Sequence, residues 1–566
     1  MTGDPNALRR AFVTVGSRQV HYRRAGAGPA AVLLHESPRS SASMSWLIRP
    51  LARRFCVLAF DTPGYGSSTR FEAESPAIAD YAHTLAGALD ALGVEQCGVY
   101  GVHTGAAIAL ELARRDPQRV TCAVLDGLPL YSDDESSELL EHYAPTFAPR
   151  IDGAHLAALW TCYRDRFLFS PWYRRERLTR RDVAMPEPDA LHEGVMDMLR
   201  SGNGYGAGYA AAFRFRAVPA IADLTVPTTI LEHEGDLLAG QVDRLGELPE
   251  SASVLRLPTD RKQSADVIGG LLAAHAPVVS VPPAPPTGAV AGTVWRDYAD
   301  TRYGQLLVRR AGEGGAGFPL VMLHASPGSA EMLVGLVTHL APGRQVFALD
   351  TLGNGDSDKP PWDEAEIGDY APVVADAAQA LGLEQFDLYG SHTGGLIALE
   401  TALLVPERVR RLVLDGVTLH DAEETADLLA HYTPALRPSE DGTHLLFAWN
   451  FLRDQTLFWP WYNRSRDGIR WVDPVDAEQL HVWFVELLKS GETYPIGYRA
   501  AFRYRTGERI PLLSVPALMV ARSTDMLHST THAAAKLAPN ARAETLPERN
   551  EDAARMIASF LDEPDR

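Results

Sequence analysis

The sequence predicts an α/β protein made of two tandem copies of one domain, each a mostly parallel sheet flanked by helices. Three observations lead to this prediction. The same residue types recur 289 positions apart, short apolar segments alternate with helical patterns, and a proline-rich segment separates the two halves of the 566-residue chain. Strands that alternate with helices are typical of parallel sheets covered by helices on both faces.

The repeat is clearest around a glycine-bounded turn. The run YGVHTGAAIAL, which contains His103, returns as YGSHTGGLIAL, which contains His392. A period this long indicates duplicated whole domains rather than a solenoid of short units. The same offset relates His35 to His324, Asp61 to Asp350, and Asp236 to Asp525.

The proline-rich segment VVSVPPAPPTGAVAGT covers residues 278–293 and lies between the copies. Its prolines favour extended structure and predict a semi-rigid spacer. Copy 1 is therefore placed at residues 1–277 and copy 2 at residues 294–566. We expect the two copies to pack together as a pseudo-dimer, because fusion raises the effective concentration of each copy for the other.

Copy 2 shows the predicted elements most clearly. Short apolar runs that end in turns predict buried strands, and the pattern YAPVVADAAQALGL is typical of an intervening helix. The five predicted strands lie in the segments FPLVMLH from Phe318, RQVFALD from Arg344, FDLYG from Phe386, RVRRLVLD from Arg408 and PALMVAR from Pro516.

Composition and charge narrow the function classes. The chain has 53 Lys and Arg against 72 Asp and Glu, and its net charge is −19. This acidic balance disfavours nucleic acid and anionic membranes as partners. The four cysteines form no CxxC pair, which argues against a disulfide framework or a zinc site and favours a cytoplasmic location. We also expect no signal peptide and no membrane-spanning helix.

Three motifs occur in the same order in each copy. A strand is followed by H-x-S-P, a second strand by D-x-x-G-x-G-x-S, and a third strand by G-x-H-x-G and a helix. Together they resemble the α/β-hydrolase family, and the resemblance covers nearly all of each copy. It implies the α/β-hydrolase fold, with a helical cap inserted at about residues 131–222 in copy 1 and 420–511 in copy 2, and it implies hydrolase activity.

Both copies depart from the family at its nucleophile. The family places a serine at the centre of the third motif, where this chain has His103 and His392. The late acid of the family's triad is present as Asp236 and Asp525, but the later histidine is missing. An imidazole at this turn could bond the late acid directly, as a His–Asp dyad. A second possible partner ends the fourth strand, at Asp126 in copy 1 and Asp415 in copy 2.

The nucleophile is left with two candidates. In relatives, the third residue of the turn after the first strand offers its amide to the oxyanion hole, and both copies have a hydroxyl there, Ser37 and Ser326. A Ser326–His392–Asp525 triad, matched by Ser37, His103 and Asp236, is therefore one hypothesis. Water activated by the histidine is the other. Ser391 is a weaker candidate because copy 1 has Val102 in its place.

The substrate pocket is expected between the turns and the cap. In the family, cap residues roof the pocket, and an aromatic wall with a few histidines suits an apolar or aromatic substrate bearing a polar group. Most cap aromatics are expected to be core, with His431 and His444 the better candidates for the pocket. The candidate binding residues are His324, Ala325 and Thr393 at the turns, and His431, His444, Trp449, Trp461 and Tyr498 in the cap.

The leading function is a cofactor-independent hydrolase of an ester, lactone, amide or related carbonyl compound. One alternative is a His–Asp base that drives carbon–carbon cleavage, elimination or isomerisation, and another is a catalytically dead protein that binds ligands or acts as a scaffold. No nucleotide-binding fingerprint or metal-spaced cluster is present in the sequence, so no cofactor and no metal are expected.

Copy 2 is expected to be the more active copy. It keeps Gly328 after the H-x-S-P turn, where copy 1 has Arg39. In copy 1, Glu36 precedes Ser37, and a carboxylate beside the oxyanion hole would oppose developing negative charge.

Overall fold

A computed structural model describes residues 7–290 and 292–564. Its described residues form two compact units. The first comprises residues 7–148, 154–289 and 440–442, and the second comprises residues 149–153, 290–439 and 443–564. The expected arrangement of two tandem α/β domains, each with a mostly parallel sheet and a helical cap, is confirmed.

The first unit is built on an eight-stranded sheet in the order β1-β2-β4-β3-β5-β6-β7-β8. The hairpin β1–β2 is antiparallel, and β2 pairs antiparallel with β4, whereas the other pairs are parallel. Its strands are β1 (Arg9–Val15), β2 (Arg18–Ala25), β3 (Ala30–Leu34), β4 (Cys56–Phe60), β5 (Cys97–Val102), β6 (Val120–Asp126), β7 (Thr228–His233) and β8 (Ala252–Leu257).

The second unit has a sheet of the same topology, in the order β16-β15-β14-β13-β11-β12-β10-β9. Its strands are β9 (Trp295–Thr301), β10 (Gly304–Ala311), β11 (Leu320–Leu323), β12 (Val346–Leu349), β13 (Phe386–Ser391), β14 (Val409–Asp415), β15 (Ala517–Arg522) and β16 (Ala541–Leu546).

Helices cover both faces of each sheet. In the first unit they are α1 (Ser45–Leu51), α2 (Ile78–Ala91), α3 (Thr104–Arg115), α4 (Asp133–His142), α5 (Ala154–Leu168), α6 (Pro188–Ser201), α7 (Gly206–Arg214), α8 (Ala217–Ala222) and α9 (Arg261–Ala274). In the second they are α10 (Val334–Leu340), α11 (Ile367–Ala380), α12 (Thr393–Leu404), α13 (Ala422–His431), α14 (Thr443–Leu457), α15 (Ala477–Ser490), α16 (Tyr494–Arg503), α17 (Thr506–Arg509), α18 (His528–Ala535) and α19 (Asn550–Leu561).

The central strands are apolar on both faces, as strands covered by helices on each side must be. In β3, Val32 and Leu34 pack into the hydrophobic cluster on one face, while Ala31 and Leu33 pack into the cluster on the other. All five residues of this strand are buried. The continuous apolar run therefore fixes the strand at the centre of the sheet and sets the turn that follows it beneath the cap.

Five helices, α4–α8, lie between β6 and β7 and form the cap of the first unit. The corresponding helices α13–α17 lie between β14 and β15 in the second unit. Because these insertions follow the carboxyl ends of parallel strands, they roof the edge of the sheet where the strand-to-helix turns lie.

The segment after α9 runs along the edge of the first unit. Val281 donates its amide to the carbonyl of Gly28 (2.9 Å), and Arg24 donates to the carbonyl of Pro282 (2.8 Å). Thr14 donates its hydroxyl to the carbonyl of Gly288 (2.6 Å). The first part of the proline-rich segment is thus hydrogen-bonded to the unit that precedes it.

The turn from strand to helix at residues 101–105 and 390–394 is tightly constrained. His103 has φ 48° and ψ −110°, and His392 has φ 50° and ψ −114°. In the described ranges, these two histidines are the only residues other than glycine with positive φ. Such a backbone costs on the order of 1–3 kcal/mol and persists only where the surroundings enforce it.

No described helix is long and apolar enough to cross a lipid bilayer.

The glycines of this turn should be indispensable to the second unit. A Cβ on Gly390 would lie 2.2 Å from the carbonyl oxygen of Gly394 and 2.7 Å from the Cα of Gly395, both backbone atoms that cannot give way. We expect Gly390→Ala to destabilise the second unit by about 3 kcal/mol in chemical denaturation. Gly368→Ala in α11, where a Cβ would meet nothing within 4 Å, is the matched control and should be neutral or stabilise by up to about 1 kcal/mol. Equal losses from the two variants would contradict this account of the turn.

Candidate active site

Each turn histidine makes a hydrogen-bonded ion pair with the late acid of its own unit. His392 Nε2 lies 2.9 Å from Asp525 Oδ2. In the first unit, His103 Nε2 lies 3.0 Å from both carboxylate oxygens of Asp236. The described residues supply no hydrogen bond to the Nδ1 atom of either ring, and both histidines line a cavity. Nδ1 is therefore the ring nitrogen that remains for a ligand.

The late acids are held in place by the loop that follows the strand. Asp525 Oδ1 accepts the amide of Leu527 (2.8 Å), and Asp236 Oδ1 accepts the amide of Leu238 (2.7 Å). A carboxylate that is fixed by its own backbone presents the second oxygen to the imidazole in one orientation, and this orients the ring.

Asp126 and Asp415, the alternative partners, have a different arrangement. The carbonyl of Asp415 accepts the amide of His392 (2.7 Å), while its carboxylate accepts the hydroxyl of Tyr389 (2.6 Å). Asp126 likewise accepts the amide of His103 (2.9 Å) and, through its carboxylate, the hydroxyl of Tyr100 (2.7 Å). Each therefore supports the turn through its main chain rather than pairing with the imidazole.

The ion pair changes the protonation of the ring. Burial disfavours a charged imidazole, but the charge and hydrogen bond of Asp236, with a contribution from Glu36, outweigh it and raise the pKa of His103 to about 9. In the second unit, burial is likewise outweighed by the hydrogen bond and charge of Asp525, and the pKa of His392 is raised. Burial would raise the pKa of Asp525, but His392 holds it below its usual range. Both rings are therefore stabilised as imidazolium.

The two candidate nucleophilic serines face the cap. No hydrogen bond joins Ser326 to His392, or Ser37 to His103, in the described part of the chain. A Cβ on Gly497 of α16 would lie 3.2 Å from Ser326 Oγ. In the first unit, Ser37 hydrogen-bonds Tyr65. The serine hydroxyls thus point towards a cap helix, although Ser37 and Ser326 both line their cavities.

Two backbone amides of the second unit are free to receive an oxyanion. Thr393 is the first residue of α12, and the first amides of a helix have no intrahelical acceptor. Among the described residues, neither the Thr393 amide nor the Ser326 amide has a hydrogen-bond acceptor. The positive end of the α12 dipole lies at the same place and also favours negative charge there.

The cavities of the two units differ in size and lining. The first unit encloses about 810 Å³ lined by many charged side chains, and the second about 240 Å³ with a mainly apolar lining. The residues that line the second cavity include Ser326, Met332, His392, Thr393, Tyr432, Gln455, Trp459, Arg470, Trp483, Tyr498 and Phe502.

Of the candidate binding residues, Thr393 and Tyr498 lie in the cavity lining, and the other six do not. His324 is buried beneath the turn, where Thr351 donates its amide to Nε2 (3.0 Å) and its hydroxyl oxygen lies 3.1 Å from the same atom. Ala325 accepts a hydrogen bond from His324 through its carbonyl (2.8 Å). His324 and Ala325 therefore stabilise the turn and do not line the cavity.

The cap residues lie on faces that point away from the cavity. His431 is exposed at the end of α13 and pairs with Asp427, one turn earlier. His444 is buried, and Ser439 donates to its Nδ1 (3.1 Å). Trp449 is fully buried in the cap, and Trp461 donates its indole N–H to the carbonyl of Tyr432 (2.9 Å). These side chains hold the cap together, as aromatic residues at helical spacing most often do.

Several residues at the sites were not selected from the sequence. Tyr100 and Tyr389, which bond the acids behind the turn, recur in both copies of the YGxHTG run, so comparing the copies could have found them. His233, which contacts Asp126 (3.2 Å), has no such signal because copy 2 has Arg522 at that position.

Comparison with known proteins decides the family. A profile described as the alpha/beta hydrolase fold matches residues 29–158 and 319–540, one stretch in each half and more than half of the chain in total. The chain belongs to the α/β-hydrolase fold family.

Individual relatives match shorter stretches. A 2-hydroxymuconate semialdehyde hydrolase of Pseudomonas sp. (strain CF600) is 42% identical over 107 residues, which are 18% of this chain and 38% of that protein. An uncharacterized carboxylesterase, nap, of Bacillus subtilis (strain 168) is 26% identical over 259 residues, 44% of this chain and 78% of that protein. The chain thus spans well under half of the first relative's length.

One solved structure to which the chain is similar is an enol-lactonase. The enol-lactonase from Burkholderia xenovorans LB400 is 21% identical, covers 47% of this chain and 100% of its own, and superposes with a TM-score of 0.38.

Within the α/β-hydrolase fold family, this chain differs in which side chain occupies the turn. The ring of His392 stands where the family has its serine, and the late loop LPERNEDA, like LPTDRKQS in copy 1, contains no histidine. An α/β-hydrolase triad normally places an imidazole between serine and acid. Here the imidazole reaches the acid directly from the turn.

The raised pKa of His103 should depend on Asp236. Asp236→Asn removes the negative charge of the carboxylate while keeping an oxygen that can accept the amide of Leu238. Burial is then the main influence on the pKa of the His103 ring. We expect the pKa of His103, followed by NMR titration of its ring protons, to fall from about 9 to below the usual histidine value of about 6.5.

Asp126→Asn is the control, because the Asp126 carboxylate bonds Tyr100 rather than the imidazole. It should lower the pKa of His103 by a smaller amount. A His103 pKa that stays near 9 in Asp236→Asn would show that the ion pair does not govern the ring.

Proposed function

We propose that the protein is a cofactor-independent hydrolase of an ester, lactone, amide or related carbonyl substrate, with the turn histidine as the group that moves the proton. The observation that supports this most directly is the environment of His392. Its Nε2 is held by Asp525, its Nδ1 has no partner among the described residues, and the unengaged amides of Thr393 and Ser326 stand at the same turn. A small-molecule substrate fits the enclosed cavities.

Water is the nucleophile that this geometry favours. His392 Nδ1 accepts a proton from water as the water oxygen bonds to the carbonyl carbon. The carbonyl oxygen becomes an oxyanion, which the amides of Thr393 and Ser326 stabilise. The bond from carbon to the leaving group then breaks, and the leaving group takes the proton from Nδ1. The products are an acid and an alcohol or amine, and the imidazole is restored.

Ser326 is a second possible nucleophile within the same function. Its hydroxyl faces Gly497 and makes no hydrogen bond with His392, so its side chain would have to rotate before attack. The water route requires no such movement, which is why we place it first.

The second candidate function is proton abstraction from a carbon acid, leading to carbon–carbon cleavage, elimination or isomerisation. The raised pKa of His392 favours it, because an imidazole with a higher pKa is a stronger base once it is deprotonated. A protein that only binds ligands is the third reading, and it predicts stabilisation by ligands without turnover.

Substitutions in single-copy backgrounds should separate these readings. In a His103→Ala background, we expect His392→Ala to lower kcat/KM for a panel of nitrophenyl esters and lactones by about a hundredfold to ten-thousandfold, because the proton carrier is lost. Ser326→Ala should leave most of the rate if water attacks and abolish it if the serine does. His431→Ala, an exposed histidine outside the cavity, is the control and should leave the rate unchanged.

A phosphonylated Ser326 after treatment with a fluorophosphonate would rule out the water route. If His392→Ala kept full activity, the proposal as a whole would be ruled out.

The rate should rise with pH in the alkaline range. In a His392→Ala background, catalysis by copy 1 needs neutral His103, whose pKa is raised to about 9. Below that pH the neutral fraction, and so kcat/KM, should increase about tenfold per pH unit before levelling off. In the His103→Ala background, the increase of kcat/KM with pH should likewise continue above pH ~6.5, because the pKa of His392 is raised. A profile that is flat or falling between pH 7 and 9 in the copy 1 background would exclude His103 as the base.

A further inference from the structure

The cavity of the first unit contains a buried cation that the described residues do not neutralise. Arg166, on α5, is 7% exposed and lines the cavity. Its Nη1 donates to the hydroxyl of Tyr209 (2.6 Å), and its Nη2 lies 3.9 Å from the Sγ of Cys162. Its Nε has no acceptor. No ion pair with a described carboxylate is formed, although Asp165 is its neighbour in the chain, because Asp165 pairs with Arg175 (2.6 Å).

Its surroundings are aromatic rather than acidic. The guanidinium carbon lies 5.4 Å from the ring centre of Tyr143, 5.8 Å from Tyr163 and 5.1 Å from Tyr209. Ring faces attract a cation and offset part of the cost of its burial. The Cys162 thiol adds little, because burial raises its pKa and keeps it a weak, neutral acceptor.

The other cations of the lining have hydrogen-bond partners, except Arg261, whose guanidinium lies over the ring of Trp46 (5.9 Å). Arg39 pairs with Asp197 (2.8 Å), and His103 pairs with Asp236 (3.0 Å). Arg181 donates to the carbonyls of Arg166 and Gly235 (2.8 and 3.1 Å). The acidic side chains that line the same cavity are Glu36, Asp126, Glu193, Glu234, Asp236 and Asp260, and none of them pairs with Arg166.

The second unit shows that the fold does not need this charge. Gln455 stands at the position of Arg166 and lies 3.4 Å from the hydroxyl of Tyr498, the counterpart of Tyr209. Tyr432 and Phe502 repeat Tyr143 and Phe213, whereas Leu452 replaces Tyr163, so two of the three rings around the guanidinium are retained around a neutral amide. Burying a cation without a counterion is unfavourable, so a charge that the packing does not require indicates a ligand that supplies the opposite charge.

We propose that the first unit takes substrates that carry a carboxylate, which binds the Arg166 guanidinium, whereas the second unit takes neutral, apolar substrates. The remainder of the carboxylate-bearing molecule would lie against the tyrosine wall of the roughly 810 Å³ cavity. Guanidinium matches a carboxylate through parallel N–H donors, which a glutamine cannot reproduce. The proposal rests on the proposed function only in taking these cavities as the substrate sites.

Binding of molecules that cannot be hydrolysed tests this directly. The probes are 3-phenylpropanoate and its neutral analogue 3-phenylpropan-1-ol, each titrated calorimetrically into the full chain. The wild type should bind the acid more tightly than the alcohol. Arg166→Gln, which introduces the residue found in the second unit, should weaken binding of the acid about tenfold to a hundredfold and leave the alcohol unchanged.

Arg174→Gln is the matched control. Arg174 is exposed in the same cap, pairs with Glu138 and lies outside the cavity lining, so this variant changes the net charge equally and should keep the preference for the acid. Arg166→Lys retains the positive charge and should keep part of the preference. It also provides a test if Arg166→Gln does not fold.

An acid affinity that is unchanged in Arg166→Gln would overturn the proposal, as would a wild type that does not bind the acid. Neither probe contains a hydrolysable bond, so these outcomes do not depend on turnover. Failure of the proposed hydrolase activity would instead appear as an inactive ester and lactone panel with the acid preference intact.

Discussion

The strand-to-helix turn at each histidine is the constraint on which the rest of the site depends. Gly394 lies so close to the end of the neighbouring strand β11 that a Cβ would stand 2.5 Å from the carbonyl oxygen of His324. This close approach forces His392 into its positive φ, at a cost on the order of 1–3 kcal/mol that the buried packing of β13 and α12 offsets. With its backbone held in this way, the ring of His392 projects from the end of β13 towards the loop that carries Asp525.

The direct pairing of the turn histidine with the late acid differs from the usual triad of the fold, in which a serine occupies the turn. The imidazole occupies the place of the nucleophile, so the acid engages Nε2 and leaves Nδ1 for a ligand. Pairing raises the pKa of the ring and favours imidazolium at neutral pH. The same helix end that would stabilise an oxyanion therefore stands beside an imidazole whose charged form is stabilised and which becomes a base as the pH rises.

The two units share one fold and differ in the side chains that line their cavities. The His–Asp pair, the tyrosine behind the turn and the aromatic wall occur in both, whereas the first cavity has Arg166 and Arg39 where the second has Gln455 and Gly328. Because Tyr143, Tyr209 and Phe213 are repeated around Gln455 as Tyr432, Tyr498 and Phe502, the charge of the cavity can change without altering the fold. Duplication therefore provides two cavities with the same His–Asp pair and different electrostatic surroundings.

The sequence by itself determined the features that depend on local pattern. Apolar runs marked the central strands, the fixed offset between His103 and His392 revealed the duplication, and paired glycines required the tight turn. Sequence order also limited the partner of His392 to two acids, but only the tertiary structure decided which carboxylate faces the ring, because that depends on how β14 and the late loop meet. Helical periodicity likewise could not say which cap face lines the cavity, and so it did not distinguish exposed His431 from Tyr498. For the same reason, the sequence could not show that Arg166 is buried without a counterion. Its neighbour in the chain, Asp165, pairs with Arg175 instead. A missing counterion can be recognised only when the positions of all nearby side chains are known.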